Sequence, residues 1–419
     1  MKFYYGLLFV LLLGSFYVFI NFTLTGEERN WQIYANLYFR LMLVYTWYVY
    51  ILLFLDDLKV VSYPSYHHEL ISVIVPCYNE QPELLKKSLE SVLSATGNVK
   101  VLVIDDGSKE EIRKEVIRIV SELKGQEERI SLKIFEENKG KRHALHHAIT
   151  NLISDSEFVV TIDSDTILDK NALVRIVEPL KNSAIGASTG DVRLLNEKQN
   201  WLTKMIATYY WIGLNIYKKA QSSRGMVVCC SGCLAAYKTT IIKEIIEEFV
   251  NQEFFGERCA HSEDRHLTNL ILKRNYQVVY VPEAISYTET PATIRGFLKQ
   301  QQRWKRGYIR ESLYTLTYAW KIRPLLFLQV LLWDLTAPFL TFGLRLAVLV
   351  IIFSKPGFFF FFILPSWITF MLVRYIFVLF YAKEKIWGIF TYALFYEVFL
   401  YWMNIYALFT VKNKSWITR

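Results

Sequence analysis

Five apolar stretches, two before residue 56 and three after Pro324, limit what this chain can fold into, because together they need a lipid environment around a polar middle. Residues 3–24 are apolar apart from Asn21 and a few hydroxyl side chains, and residues 34–55 form a second stretch. At ~1.5 Å per residue, each reaches across a ~30 Å hydrocarbon core. A cleaved signal peptide competes for the first stretch, but its length, the single Lys2 ahead of it and the lack of a small-x-small site favour a retained span. Arg40 lies near one end of the second, where it can snorkel to the interface. The connection Gly26-Glu27-Glu28-Arg29-Asn30 is net acidic, whereas Asp56-Asp57-Leu58-Lys59 leads into a basic domain. The N-terminus and the polar middle are therefore expected in the cytoplasm.

After Pro324 come residues 325–353, 358–382 and 386–411. Lys383 and Lys385 precede the last stretch, and Lys412 and Lys414 follow it. Cations at both ends suggest a segment that enters and leaves on one side, and Glu397 with many aromatics fits a re-entrant or interfacial course. The expectation is four spans plus this segment, with a cytoplasmic tail; five full spans is the alternative. The chain thus divides into residues 1–57 (two spans), 58–293 (catalytic domain), 294–323 (amphipathic interface helices) and 324–419 (C-terminal membrane region and tail). Hydrophobic residues reach 53% while charged ones still make up 21%, which fits membrane segments joined to a polar domain. The net charge of +9 lies largely beside apolar spans, so nucleic acid is not an expected partner. All five cysteines sit in the polar middle without a regular framework, as in a reduced compartment. Cys230-x-x-Cys233 lacks the second ligand pair that zinc would need.

In the middle, short apolar runs alternate with helical periodicity. Strands are expected at residues 70–76, 101–104, 132–135 and 158–162, with helices at 82–95, 109–124 and 142–152 between them. Such alternation argues for an α/β domain with a mainly parallel sheet, whose ligands bind beyond the carboxyl ends of the strands. Asp105-Asp106 and Asp163-Ser164-Asp165 fall at those ends. Residues 294–323 mix Trp304, Tyr308, Tyr314, Tyr318 and Trp320 with Arg303, Lys305, Arg306 and Arg310, a pattern suited to a helix in the membrane interface. Residues 201–217 fit either a second such helix or a core helix.

Five patterns carry chemistry. Asp163 and Asp165 can converge on Mg²⁺ or Mn²⁺ with positions left for diphosphate; a solvated turn is the plainer reading. Asn138-Lys139-Gly140-Lys141-Arg142 opens a helix and suits a phosphate, with Lys141 and Arg142 as cations, although basic surface turns look alike. Small residues at Cys230-Ser231-Gly232 let backbone approach a ligand closely, or simply pack a strand. Gln300, Arg303 and Trp304 share a helical face, where Trp304 can stack on an acceptor sugar and Arg303 can meet a leaving diphosphate; an isolated pair would be an interface anchor. Glu263-Asp264-Arg265 offers a carboxylate for removing a hydroxyl proton.

The order Asp105-Asp106-Gly107, Asp163-Ser164-Asp165, Glu263-Asp264-Arg265, Gln300-x-x-Arg303-Trp304 resembles the processive membrane glycosyltransferases of family 2, the cellulose, chitin and hyaluronan synthases. The resemblance implies a GT-A domain between membrane helices that uses UDP-sugars with a divalent cation. It implies inversion of the anomeric centre and passage of the nascent polysaccharide through the lipid bilayer of the plasma membrane. It assigns Asp264 as general base with Glu263 and Arg265 orienting it, and places Tyr78 and Asp106 on uracil with Glu80 beside them. Trp416-Ile417-Thr418-Arg419 resembles the family's nucleotide-capping Trp-Gly-Thr-Arg tract, so Trp416 and Arg419 join the donor set, with Ile417 in place of glycine. Gly140 to Ala144, Lys219-Ala220-Gln221-Ser222, Thr288-Glu289-Thr290-Pro291 and Arg310-Glu311-Ser312 are similar to hyaluronan synthases, implying UDP-GlcNAc and UDP-GlcA as donors. Glu263, Cys233 and Ile417 depart from them, and Glu263 resembles the chitooligosaccharide synthases, the alternative. A non-processive glycolipid transferase comes third. A nucleotide-binding transporter, with Asp334, Arg374 and Glu397 in its spans, is the non-enzyme alternative. A homo-oligomer is left open.

Overall fold

The structure, a computed structural model, describes residues 17, 40, 44–56, 63–66, 68–126, 129–153, 155–376, 378 and 382–413. These fall into two units: one from the described part of Leu55–Arg303 with Lys412 and Asn413, the other from the described parts of Met1–Phe54 and Trp304–Val411. Apart from Tyr17, the first expected span lies outside the described residues, as do Trp416 and Arg419.

The first unit is built on a sheet. Its centre is β1 (Leu70–Cys77), whose Val/Ile run is buried on both faces, as a strand covered by helices on each side must be. α1 (Pro82–Ser94) begins at a proline, which costs nothing at a first helical turn, and buries Leu85, Leu89, Val92 and Leu93. β2 (Asn98–Asp105) pairs parallel with β1 so that Asp105 lies opposite Cys77, and both strands end together. α2 (Glu110–Gln126) carries Glu110 and Glu111 in its first turn, which favours the helix dipole, and returns the chain to β3 (Ile130–Ile134). α3 (Lys141–His147) follows and passes into a widened π turn at Ala148–Leu152. β4 (Phe158–Thr161) pairs parallel with the other side of β1. The strands, helices and parallel pairings expected to residue 162 are all present.

Beyond that point the sheet becomes mixed. β5 (Ile167–Leu168) and α4 (Ala172–Val177) lead to β6 (Ile185–Leu194), and α5 (Trp201–Ile212) to β7 (Ala235–Lys238). α6 (Thr239–Val250) and a two-strand hairpin, β8 (Glu253–Phe254) and β9 (Glu257–Arg258), precede α7 (Glu263–Lys273) and β10 (Gln277–Thr288). The sheet order is β3-β2-β1-β4-β7-β6-β10-β5, with β7 antiparallel to both β4 and β6. Because Thr161 of β4 pairs with Ala235, the loop entering β7 meets the edge from which Asp163 and Asp165 leave. One reversed strand thus brings residues near 230 to the acidic edge. α5 buries Leu202, Met205, Ile206 and Ile212, which fits the core-helix reading of that segment.

α8 (Ile294–Ile322) is one amphipathic helix, and the division between units falls within it, between Arg303 and Trp304. In the second unit, α9 (Pro324–Ser354) has 31 residues and α10 (Lys383–Phe409) has 27, and each is long and apolar enough to cross a membrane. A shorter apolar helix covers Val44–Asp56, the described end of the second expected span. α10 opens with a tight turn at Lys383–Lys385 and has a widened turn at Tyr396–Leu400. Arg345 on α9 and Glu397 on α10 meet in a bidentate pair at 2.7 and 3.1 Å. The arginine also donates to Thr341 Oγ1 at 2.6 Å and stacks over Tyr401 at 3.8 Å. Of the three charges named for a transporter, Glu397 is thus held in an ion pair.

Candidate active site

Each acidic motif is placed by a strand end. Asp105 closes β2 and is fully buried, with its backbone oxygen accepting from Phe135 N–H at 2.8 Å. Asp106, one residue on, accepts from the N–H groups of Lys139 and Gly140 at 2.9 and 2.8 Å. Burial pushes its carboxyl above the usual range despite those two bonds. Gly107 has φ of 72°, and a Cβ there would lie 2.3 Å from the Glu137 carbonyl carbon, so only glycine lets the two loops pass. Asn79 fastens the same turn, receiving Lys109 N–H on its side chain and giving its own N–H to Ser108 Oγ. Tyr78 follows β1 directly and is partly exposed, while Glu80 is buried and accepts from Ser164 Oγ at 2.6 Å. Glu80 therefore braces the Asp163-Ser164-Asp165 turn from inside.

Lys141 joins three motifs. Its ammonium pairs with Asp163 Oδ1 and lies 3.4 Å from Glu263 Oε1. Burial opposes that charge, but Asp163, Glu263 and Asp264 outweigh it and hold the lysine charged well beyond the ordinary range. Arg142, expected to bind phosphate beside Lys141, does otherwise. Its guanidinium turns inward, donates to the Phe249 carbonyl at 2.5 Å and to Gln252 Oε1 at 2.8 Å, and stacks on the Phe249 ring at 4.6 Å. Adjacent residues on a helix point about 100° apart, so when Lys141 faces the acids Arg142 faces α6.

Glu263 and Asp264 open α7 after Ser262, whose φ of 66° turns the chain into the helix. Asp264 Oδ1 accepts its neighbour Arg265 N–H at 2.7 Å, and Cys229 Sγ stands 3.6 Å from Oδ2. Burial, then the adjacent Glu263, raise the Asp264 carboxyl. For Glu263 burial also works upward, but Lys141, the backbone N–H, Arg142 and Arg303 prevail and lower it. Two neighbouring carboxylates are thus driven apart, one kept ionised and one made the stronger base. Gln300 and Arg303 lie in this unit on α8; Trp304 shares their helical face by spacing but belongs to the other unit.

The loop before β7 completes the edge. Cys230 N–H donates to Thr268 Oγ1 at 2.9 Å, Thr268 donates to the Asp264 carbonyl at 2.8 Å, and Ser231 N–H donates to Thr189 Oγ1 at 3.0 Å. At Gly232 a Cβ would come within 3.0 Å of Lys141 Nζ and 3.1 Å of Asp163 Oδ2. Sequence reasoning missed Thr189, Thr268, Cys229 and Tyr210. Burial, Cys233, Tyr209, Asp165 and Asp163 all raise the Tyr210 hydroxyl, which puts α5 beside the acidic turn. The only prior signal for it was the Tyr209-Tyr210-Trp211 run. Among the described residues no group of three or more His, Cys, Asp or Glu is arranged to hold a metal ion. A divalent cation would therefore rest on Asp163 and Asp165 and complete its shell with phosphate oxygens, a set that fits Mg²⁺ or Mn²⁺.

Comparison with known proteins bears on this edge of carboxylates. The family model described as glycosyltransferase like family 2 matches residues 68–307, from just before β1 to the first half of α8, Arg303 and Trp304 included. The chain belongs to that family. This glycosyltransferase is 31% identical to an N-acetylglucosaminyltransferase of Sinorhizobium fredii over 83% of its own length and 84% of that protein. It is 30% identical to one of Rhizobium leguminosarum over 83% and 81%. An N-acetylglucosaminyltransferase of Bradyrhizobium diazoefficiens shares 36% identity over 61% of this chain, which spans only 51% of that relative. Among solved structures, the mannosyltransferase of Pyrobaculum calidifontis, in complex with GDP-Man and Mn²⁺, superposes with a TM-score of 0.65 at 18% identity, covering 91% of this chain and 97% of that one. The shared architecture is the GT-A fold.

Proposed function

We propose that this glycosyltransferase is a membrane-associated, inverting N-acetylglucosaminyltransferase that uses UDP-GlcNAc with Mg²⁺ or Mn²⁺ and builds a β-linked chito-oligosaccharide or longer glycan. The reading rests on relatives named N-acetylglucosaminyltransferase that align over 83% of the chain. Glu263 supports the same choice, since it resembles the chitooligosaccharide synthases. A hyaluronan synthase, favoured by the tract from Gly140 to Ala144, would use UDP-GlcA as a second donor.

In the proposed reaction an acceptor hydroxyl attacks the anomeric carbon as the bond to UDP breaks. The hydroxyl proton passes to Asp264, whose raised carboxyl and neighbouring Glu263 suit a base. Tyr78 and Asp106 hold the uracil, and Glu80 fixes the turn below it. Lys141 and Arg303 meet the charge leaving on UDP. Asp163 and Asp165 would hold the cation, which would supply positive charge to the diphosphate. Cys230, Ser231 and Gly232 receive the acceptor, with Gln300 on the same unit's part of α8. Purified protein given UDP-GlcNAc alone should release UDP and form a chitinase-sensitive product. Polymer that forms only when UDP-GlcA is added, and that resists chitinase, would overturn this reading in favour of hyaluronan.

A further inference from the structure

Cys229 and Cys233 have no place in the mechanism so far, yet each touches one of its carboxylates. Cys229 Sγ lies 3.6 Å from Asp264 Oδ2, nearer than its other acceptor, the Cys230 carbonyl at 3.9 Å. Cys233 Sγ lies 3.7 Å from Asp163 Oδ2. Both sulfurs ride on a loop pinned by its backbone at Thr268 and Thr189, so neither position is the accident of a loose side chain. The Asp264 carbonyl is pinned by the same Thr268 hydroxyl, which couples the loop to the first turn of α7. Burial, then the Asp264 charge, push the Cys229 thiol well up, so it is a proton donor and not a nucleophile. A general base must be aimed, and among the described residues the hydrogen-bond donors to the Asp264 carboxylate are the Arg265 N–H on Oδ1 and the Cys229 thiol on Oδ2.

We propose that Cys229 is a positioning residue for Asp264, its thiol donating to Oδ2 and fixing the carboxylate for proton abstraction. The proposal rests on Asp264 being the general base. Asp264 is faced by Glu263 and Arg265 on its own helix, by Lys141 on α3 and by Asp163 beyond β4. Cys229 and Cys230 face it from the loop, and Tyr237 from β7. A donor lost from an ionised carboxylate raises its pKa. Cys229→Ala in the full-length enzyme should therefore move the acid limb of the kcat/KM profile up by about half a pH unit and lower kcat about tenfold, with KM for UDP-GlcNAc little changed. Cys229→Ser, whose hydroxyl also donates, should restore both. Cys233→Ala tests for a merely structural loop, because it alters the same loop beside Asp163 and should leave the acid limb in place. Equal limb shifts in the two alanine variants, or no shift and no rescue at Cys229, would overturn the proposal. Asp264→Asn separates the two claims. If it stays active, the base assignment fails; if it is inactive while Cys229→Ala keeps the wild-type profile, only the positioning role fails.

Discussion

Asp264 and Glu263 are adjacent carboxyl groups that the fold makes chemically unlike. Burial raises Asp264 while Lys141 and Arg303 help hold Glu263 low. A base works only when ionised, so protonation of Asp264 removes activity as pH falls. Because its carboxyl is raised, the acid limb should sit above the ordinary carboxylate value of about 4. Asp264→Asn should abolish the ionisation and cut kcat at least about a hundredfold while UDP still binds, as a pH–rate profile and calorimetric titration would register. At Gly232 the constraint is space. A methyl group 3.0 Å from Lys141 Nζ should push the ammonium off Asp163, since the side chain's far end yields more easily than backbone. Gly232→Ala should therefore raise KM for the sugar nucleotide about tenfold with unchanged unfolding temperature, an interaction loss of about 1.4 kcal/mol.

At the scale of elements, two arrangements do most of the positioning. β7, running against β4 and β6, returns the loop of residues 229–234 to the edge where Asp163 leaves. α7 then begins at that edge, so its first turn brings Glu263 and Asp264 up to the same loop through Thr268. In the second unit, α9 and α10 are joined by Arg345 and Glu397. Removing Glu397 takes the bidentate carboxylate away from a largely buried guanidinium on an apolar helix. Glu397→Ala should destabilise that unit by about 3 kcal/mol, whereas the double change Arg345→Met with Glu397→Leu should recover most of the loss. Thermal unfolding of the purified protein in detergent reads both.

For the whole molecule, the two carboxylates of the Asp163-Ser164-Asp165 turn predict dependence on a divalent cation. Chelation should reduce UDP release to background, and added Mg²⁺ or Mn²⁺ should restore it, because two carboxylates and a diphosphate form one coordination shell. Retained turnover in excess chelator would remove the cation from the reaction.

The sequence alone determined the apolar stretches, the strands and helices up to residue 162, the placing of Asp105 and Asp163 at the carboxyl ends of strands, and the family. These follow from local periodicity and chain length, which a linear reading captures. It also marked Asp264 and Arg303 by motif. It missed the direction of Arg142, because a basic pair at a helix start looks the same whichever residue turns inward. It missed Cys229, Thr189 and Thr268 because their meaning lies in contacts across 35, 42 and 38 positions of chain. Only the tertiary structure decided those, since the reversal of β7 and the packing of α7 arise from pairings between distant segments. A side chain's electrostatic character is likewise set by what surrounds it: Glu263 and Asp264 are neighbours in sequence, and their different surroundings give one a lowered carboxyl and the other a raised one.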